Sequence, residues 1–205
     1  MGIFHFFKKK PKVNGIIKYL SLEDWWLNEL NDEEREIILN TYSPMGDENS
    51  IIEGEIYSSS QTQLHFFWGL IGWFNKPDLR YVAYKLITKA ESLIDENSAP
   101  LDVHFLYGEK IEVCYKDRDL HPNGLELAIE ACEQQIENSP AAAIAFKQQH
   151  GGDLPAHKGY SQLAIVLEKQ KRYGEAISLC EKAKSQGWAG DWDKRIERCN
   201  KRAKP

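Results

Sequence analysis

From Leu64 almost to the C-terminus, apolar residues recur at the helical spacing i, i+3, i+4, i+7. The clearest example is the segment 157–188, which carries two apolar stripes separated by a short polar turn. The first stripe comprises Tyr160, Leu163, Ala164 and Leu167, and the second comprises Ala176, Cys180 and Ala183. Small residues seven apart let two helix backbones approach closely, and the larger side chains fill the space on either side. This pattern predicts a tightly packed pair of helices.

Polar, Gly and Pro clusters interrupt the helical pattern and predict where helices end. The predicted breaks are Lys76-Pro77, Ser98 to Pro100, His121 to Gly124, Ser139-Pro140 and His150 to Pro155. They divide the second part of the chain into paired helices. Ser139 is expected to cap an additional helix that Gly151 ends, so residues 140–155 are interpreted as an insertion.

The first 62 residues show a different pattern. Residues 1–18 form a basic leader without sustained periodicity, which we expect to be mobile. Within 19–62, two short helices are predicted, one capped by Ser21 and one opened by an Asn31-Glu34 capping box. The remainder, 43–62, is rich in Ser, Gly and acidic residues and is interpreted as a connector.

The segment 157–188 resembles a tetratricopeptide repeat. Tyr160 stands at the position of the conserved Trp, Leu163-Ala164 at the Leu-Gly pair, and Ala176 and Ala183 at the two Ala positions of the second helix. Cys180 replaces the usual aromatic residue, and Trp188 stands where the family has proline. The same spacing recurs less faithfully in 64–95 and in 101–140, where Gln135 interrupts the second Ala position.

This resemblance implies an all-α fold: a short, irregular tetratricopeptide-like array over 63–205, preceded by a two-helix segment. Asp191 is expected to open a capping helix over 191–203, with Trp192, Ile196 and Cys199 covering the last repeat and the basic residues outside. The family binds peptides or proteins in a concave groove. The resemblance therefore predicts a non-catalytic scaffold or adaptor with no cofactor.

In this family the groove is lined by outward positions of the first helix of each repeat. The corresponding residues here are His65, Trp68, Phe105, Glu109, Glu112, Lys158, Ser161 and Ile165. Ser161 and Ile165 do not reproduce the family's Lys, Asn and Arg clamp for a terminal carboxylate. We therefore expect an extended or helical peptide with apolar and basic groups. The alternative is that Trp68 and Phe105 are core residues buried by the insertion or by the N-terminal helices.

Charge is distributed unevenly along the chain. The leader contains five lysines and no acid, and the last fifteen residues are also basic, whereas the body between them has a large excess of acids. An acidic body disfavours binding to nucleic acid. Four cysteines without a CxxC pair predict a reducing location, the cytoplasm, and packing roles for Cys132 and Cys180. The cluster His150, Asp153 and His157 matches no metal site known to us, so no metal is predicted.

Two alternative functions remain open. The first twelve residues combine Ile3, Phe4, Phe6 and Phe7 with four lysines, which could attach the chain to an anionic membrane surface as a peripheral adaptor. The other alternative is an enzyme whose site is assembled from scattered residues. The sequence contains no GxSxG turn, phosphate-binding loop or HExxH motif.

Overall fold

The computed structural model describes residues 13–44 and 51–203 and is predominantly helical. The predicted all-α class is confirmed. The chain divides into two compact units, Met1–Gln63 and Leu64–Pro205. In the described part of the chain, no helix is long and apolar enough to cross a bilayer.

The first unit contains α1 (Gly15–Tyr19), a π-helical turn (Trp25–Glu29) and α2 (Asp32–Thr41). The prediction that residues 1–18 form a mobile leader is wrong for residues 13–18. The side chains of Val13, Ile16 and Ile17 are buried, and the Ile17 N–H donates to the carbonyl of Ile51. This burial and pairing hold the segment in place. Residues 1–12 lie outside the described part.

One of the two predicted helix caps in the first unit forms. The Glu34 N–H donates to Asn31 Oδ1 at 2.9 Å, and the Asn31 N–H donates to the Glu34 carboxylate at 3.0 Å, so the capping box that opens α2 is confirmed. Ser21 does not cap the π-helical turn Trp25–Glu29. Its backbone lies in the left-handed region (φ 56°), and the turn begins after Asp24 without a side-chain cap.

The adjacent rings of Trp25 and Trp26 are both buried.

The second unit is a succession of helices separated by the predicted breaks. In chain order these are α3 (Gln63–Ile71) with a 3-10 turn (Gly72–Phe74), α4 (Arg80–Glu91), α5 (Pro100–Lys116), α6 (Gly124–Glu137), α7 (Ser139–His150), α8 (Lys158–Lys169), α9 (Tyr173–Gln186) and α10 (Trp192–Ala203). Helices α5 and α6 pack together, as do α8 and α9, and α9 and α10.

The apolar stripes of α8 and α9 form the predicted interface. Tyr160 and Ala164 on α8 are fully buried, as are Ala176, Cys180 and Ala183 on α9. Alanine and cysteine side chains at the contact allow the two backbones to approach closely. The sequence pattern therefore identified the packing face of this pair correctly.

The α5–α6 pair is joined to α8 through Gln135, the residue that replaces an alanine in the predicted repeat. Its amide Nε2–H donates to the carbonyl of His104 at 2.7 Å, and its Oε1 accepts from the Gly159 N–H at 2.6 Å. Gln135 is 1% exposed, so both hydrogen bonds are shielded from water. The polar residue thus connects three helices.

The insertion forms α7 as predicted, and Gly151 ends it with a left-handed backbone (φ 65°). Ser139 is not its cap, because the hydroxyl donates backward to the carbonyl of Ile136 at 2.6 Å. After α7, the strand β1 (Leu154–Ala156) pairs in parallel with β2 (Trp188–Ala189). This small sheet was not predicted, since strands of three and two residues have no readable period.

Helix α10 covers α9 with Trp192 and Cys199, which are 5% and 0% exposed, as predicted for a capping helix. The prediction that its basic residues lie outside is wrong for Arg195, whose side chain is 19% exposed, whereas Arg198 is half-exposed. Arg195 and Arg198 both bind the buried carboxylate of Glu168 on α8. The guanidinium groups therefore link α10 to α8.

Candidate functional site

Three of the residues predicted to line a groove form an aromatic row across α3 and α5. His65 and Trp68 lie one turn apart on α3, and their rings stack with centroids 4.6 Å apart. The Trp68 ring then lies 5.0 Å from that of Phe105 on α5. Its indole N–H donates to the carboxylate of Asp102 at 3.2 Å, which fixes the orientation of the ring. The row consists of His65, Trp68 and Phe105.

The insertion covers one side of the aromatic row. Phe146 of α7 contacts Phe105 edge to face, with centroids 5.8 Å apart, and is itself 8% exposed. Phe105 nevertheless keeps 36% of its surface accessible, and His65 and Trp68 are partly exposed. The alternative of a fully buried core residue is therefore wrong for Phe105, whereas Trp68 is half-buried. The row is anchored on one side and open to solvent on the other.

A charged group continues the same helix, α5. Glu112 forms ion pairs with Lys158 of α8 at 3.0 Å and with Lys116 at 3.1 Å. Partial burial raises the pKa of Glu112, but the two lysines outweigh burial and the net pKa is lowered. Glu112 is therefore a carboxylate whose charge is already matched.

Glu109 differs from Glu112, although it lies one turn away. Its carboxylate oxygen lies against Gly72 of the 3-10 turn, where an added Cβ would come within 3.1 Å of it. Burial raises its pKa, an effect that Lys158 partly offsets. In the described part of the chain its carboxylate forms no hydrogen bond and no ion pair. Glu109 thus offers an unmatched acceptor beside the aromatic row.

The remaining predicted residues lie on α8, where Lys158, Ser161 and Ile165 are partly exposed at helical spacing. Ile165 borders a surface cavity that continues onto α10. The structure therefore brings the predicted residues together in two groups, the aromatic row and the Glu112–Lys158 pair. Ser161 and Ile165 extend the α8 face toward α10.

Beneath the aromatic row lies a buried pair of histidines, His104 and His157, that the sequence pattern does not predict. His104 is 5% exposed, and its ring lies parallel to that of Trp188, 5.6 Å away. His157 is fully buried, 4.6 Å from Trp188, and its Nδ1 accepts the N–H of Tyr160, which caps α8. No periodic signal links these residues, because the insertion and β2 bring them together.

Burial sets the protonation of both histidines. Burial, and secondarily the charge of Lys158, lowers the pKa of His104 to about 4. Burial, and secondarily His104, lowers the pKa of His157 to about 3. Both rings are therefore neutral at pH 7. In residues 13–44 and 51–203, no group of three His, Cys, Asp or Glu side chains is arranged to hold a metal ion.

Comparison of the chain with protein-family models, with curated proteins and with solved structures finds no match. The class of protein is thus defined by its architecture: an all-α protein with an aromatic row, an unmatched carboxylate and a buried histidine pair in its second unit.

Proposed function

We propose that this chain is a non-catalytic scaffold of tetratricopeptide-like construction that binds a peptide or a protein segment along α3, α5 and α8. The observation that carries the proposal is the juxtaposition of the partly exposed rings of Trp68 and Phe105 with the unmatched carboxylate of Glu109. Anchored aromatic side chains are typical of binding hot spots, because they lose little conformational entropy on binding.

The partner of this surface is expected to combine an apolar side chain with a lysine or arginine. The aromatic row provides an apolar contact whose far side is fixed by Phe146 and Asp102. Glu109 provides an acceptor in a partly desolvated position, where a charge-assisted hydrogen bond is stronger than in water. Four free, buried cysteines are compatible with a cytoplasmic location for this scaffold.

The test is selection from a displayed library of random peptides against the full chain. We expect enriched peptides to share an aromatic or aliphatic residue close to a basic one. Trp68→Ala and Phe105→Ala should each weaken the affinity of a selected peptide about tenfold or more, and Glu109→Gln should weaken it about fivefold.

The matched control is Tyr81→Ala, which removes a ring that is 45% exposed on α4. It should leave the affinity unchanged. The proposal is wrong if the enriched peptides share no such pattern, or if Tyr81→Ala weakens binding as much as Trp68→Ala. Thermal unfolding of each variant separates loss of binding from loss of fold.

A further inference from the structure

Helices α8 and α10 border an open, basic surface cavity of about 280 Å³ on the second unit. Its wall contains four cationic side chains and a single carboxylate, that of Glu168, together with Ile165. The cations are Lys169, Arg195, Arg198 and Arg202. The lining therefore carries an excess of three positive charges, in a chain whose net charge is −5.

The carboxylate of Glu168 is already occupied by two of the arginines. Arg198 donates from Nε at 2.9 Å and from Nη2 at 3.0 Å, one bond to each carboxylate oxygen. Arg195 donates a further hydrogen bond to Oε1. The Glu168 side chain is only 8% exposed, and although burial raises its pKa, the two arginines keep the net pKa lowered. Glu168 is thus an internal anion that holds Arg195 and Arg198 in place.

The other two cations are bound less closely: Arg202 forms only a long ion pair with Glu168, and the Lys169 ammonium donates to Tyr115. Arg202 Nη1 lies 3.8 Å from Glu168 Oε2, too far for a hydrogen bond, and the Arg202 side chain is 54% exposed. Lys169 uses one of its three donors on the Tyr115 hydroxyl at 2.9 Å, which positions its ammonium group. The cavity therefore has solvent-facing donors on Lys169 and Arg202 that are available to an acceptor on a ligand.

We infer that this cavity is a binding site for a phosphate group, either free phosphate or a phosphate monoester on a peptide. A phosphate group carries close to two negative charges at pH 7 and has three acceptor oxygens. The charge of a phosphate group balances more of the positive charge of the lining than the single negative charge of a second carboxylate would. The planar guanidinium of Arg202 can bind two of the oxygens at once. The inference does not depend on the peptide-binding proposal, because the lining shares only Ile165 with that surface.

The first experiment is a titration of the full chain with inorganic phosphate at constant ionic strength. Binding is monitored in NMR spectra through the Nε–Hε resonances of the arginines. We expect saturable shifts for Arg195 and Arg198, whose resonances report on the cavity. Arg202→Gln should weaken the phosphate affinity about fivefold. Because Arg202 makes no hydrogen bond to Glu168, this variant should keep the wild-type melting temperature.

The matched control is Lys201→Gln, which removes a 72% exposed charge from the same helix. It should leave the phosphate affinity unchanged. Shifts that do not saturate, or an equal loss in Lys201→Gln and Arg202→Gln, would overturn the inference and indicate nonspecific screening.

A second arm distinguishes the two sources of the phosphate group. A Gly-Ser peptide containing one phosphoserine is compared with its unphosphorylated form and with inorganic phosphate. Tighter binding of the phosphopeptide than of inorganic phosphate identifies a phosphorylated segment as the ligand, whereas equal affinities identify the free ion. Binding of the unphosphorylated peptide with the same affinity would overturn the inference.

Discussion

The imidazole rings of His104 and His157 lie 5.0 Å apart and nearly perpendicular in the interior of the second unit. Each ring has one nitrogen without a hydrogen-bond partner in the described part of the chain, Nδ1 of His104 and Nε2 of His157. Trp188 contacts both rings, and Lys158 is the charged group that acts on His104. A proton on His104 would lie in a buried environment near the Lys158 ammonium, and a proton on His157 would lie in a buried environment beside the His104 ring.

This arrangement predicts that the protein loses stability on mild acidification. In the unfolded chain both histidines take up protons below about pH 6.5, whereas in the folded chain they do so only near pH 4 and pH 3. Since the unfolded state binds more protons, the free energy of unfolding should fall by up to about 2.7 kcal/mol per pH unit between pH 6 and 4.5. Urea unfolding at pH 7.5, 6.0 and 5.0 measures this slope.

The variant His157→Asn isolates the contribution of one ring. Asparagine retains a side-chain acceptor for the cap of α8 but does not titrate, so the slope should fall to about half. His150→Gln replaces an exposed histidine and should leave the slope unchanged. Equal slopes for the wild type and His157→Asn would contradict the assignment.

Gln135 is predicted to be one of the polar side chains most important for stability. Gln135→Met has a similar volume but leaves the Gly159 N–H without its partner and removes the side-chain bond to the His104 carbonyl, which keeps its bond within α5. We expect the free energy of unfolding to fall by about 2 to 4 kcal/mol, because both groups stay buried. Chemical denaturation measures the loss, and Gln149→Met on the exposed face of α7 is the control. A loss below 1 kcal/mol would show that water replaces the missing bonds.

Two glycines at the starts of α8 and α9 should respond oppositely to alanine. At Gly159 a Cβ would lie 2.9 Å from the carbonyl oxygen of Cys132 and 2.9 Å from Oε1 of Gln135, so Gly159→Ala should destabilise the protein by about 1 to 3 kcal/mol. At Gly174 an added Cβ has no atom within 4 Å, and Gly174→Ala should stabilise by about 0.5 to 1 kcal/mol. A melting temperature of Gly159→Ala that does not fall would contradict the close contact of α8 with α6, and one of Gly174→Ala that falls would contradict the open space at that position.

The four cysteines should be unreactive in the native protein. All are free and buried, and burial raises the pKa of Cys132 to about 12 and the pKa of Cys180 to about 11. Alkylation requires the thiolate, so a maleimide reagent at pH 7.5 should label the folded chain very slowly. In denaturant the same reagent should label all four. Rapid labelling of one native thiol would indicate local opening of its helix.

The sequence was most informative where packing is local and periodic. The stripe of Ala176, Cys180 and Ala183 and the capping box of Asn31 are determined by residues close in the chain, and both were predicted correctly. The aromatic character of the candidate site was also predicted, because Trp68 and Phe105 fall at helical positions outside the apolar stripes.

What the sequence did not reveal depends on contacts between distant segments. The role of Glu168 as partner of Arg195 requires α10 to cross α8, and the contact of Trp188 with His104 requires β2 to pair with β1. A basic residue on an amphipathic helix looks the same in the sequence whether it faces solvent or a buried carboxylate. Periodicity alone cannot distinguish the two cases.

The parallel pairing of Leu154–Ala156 with Trp188–Ala189 has a consequence for how this chain can be rebuilt. Paired strands lie about 5 Å apart, so the two ends of the α8–α9 hairpin meet at one place. The chain therefore enters and leaves the α8–α9 hairpin at neighbouring positions, so the hairpin can be exchanged as a unit. A helical hairpin of another length could replace it without changing the separation of α7 and α10, provided that both strands are retained.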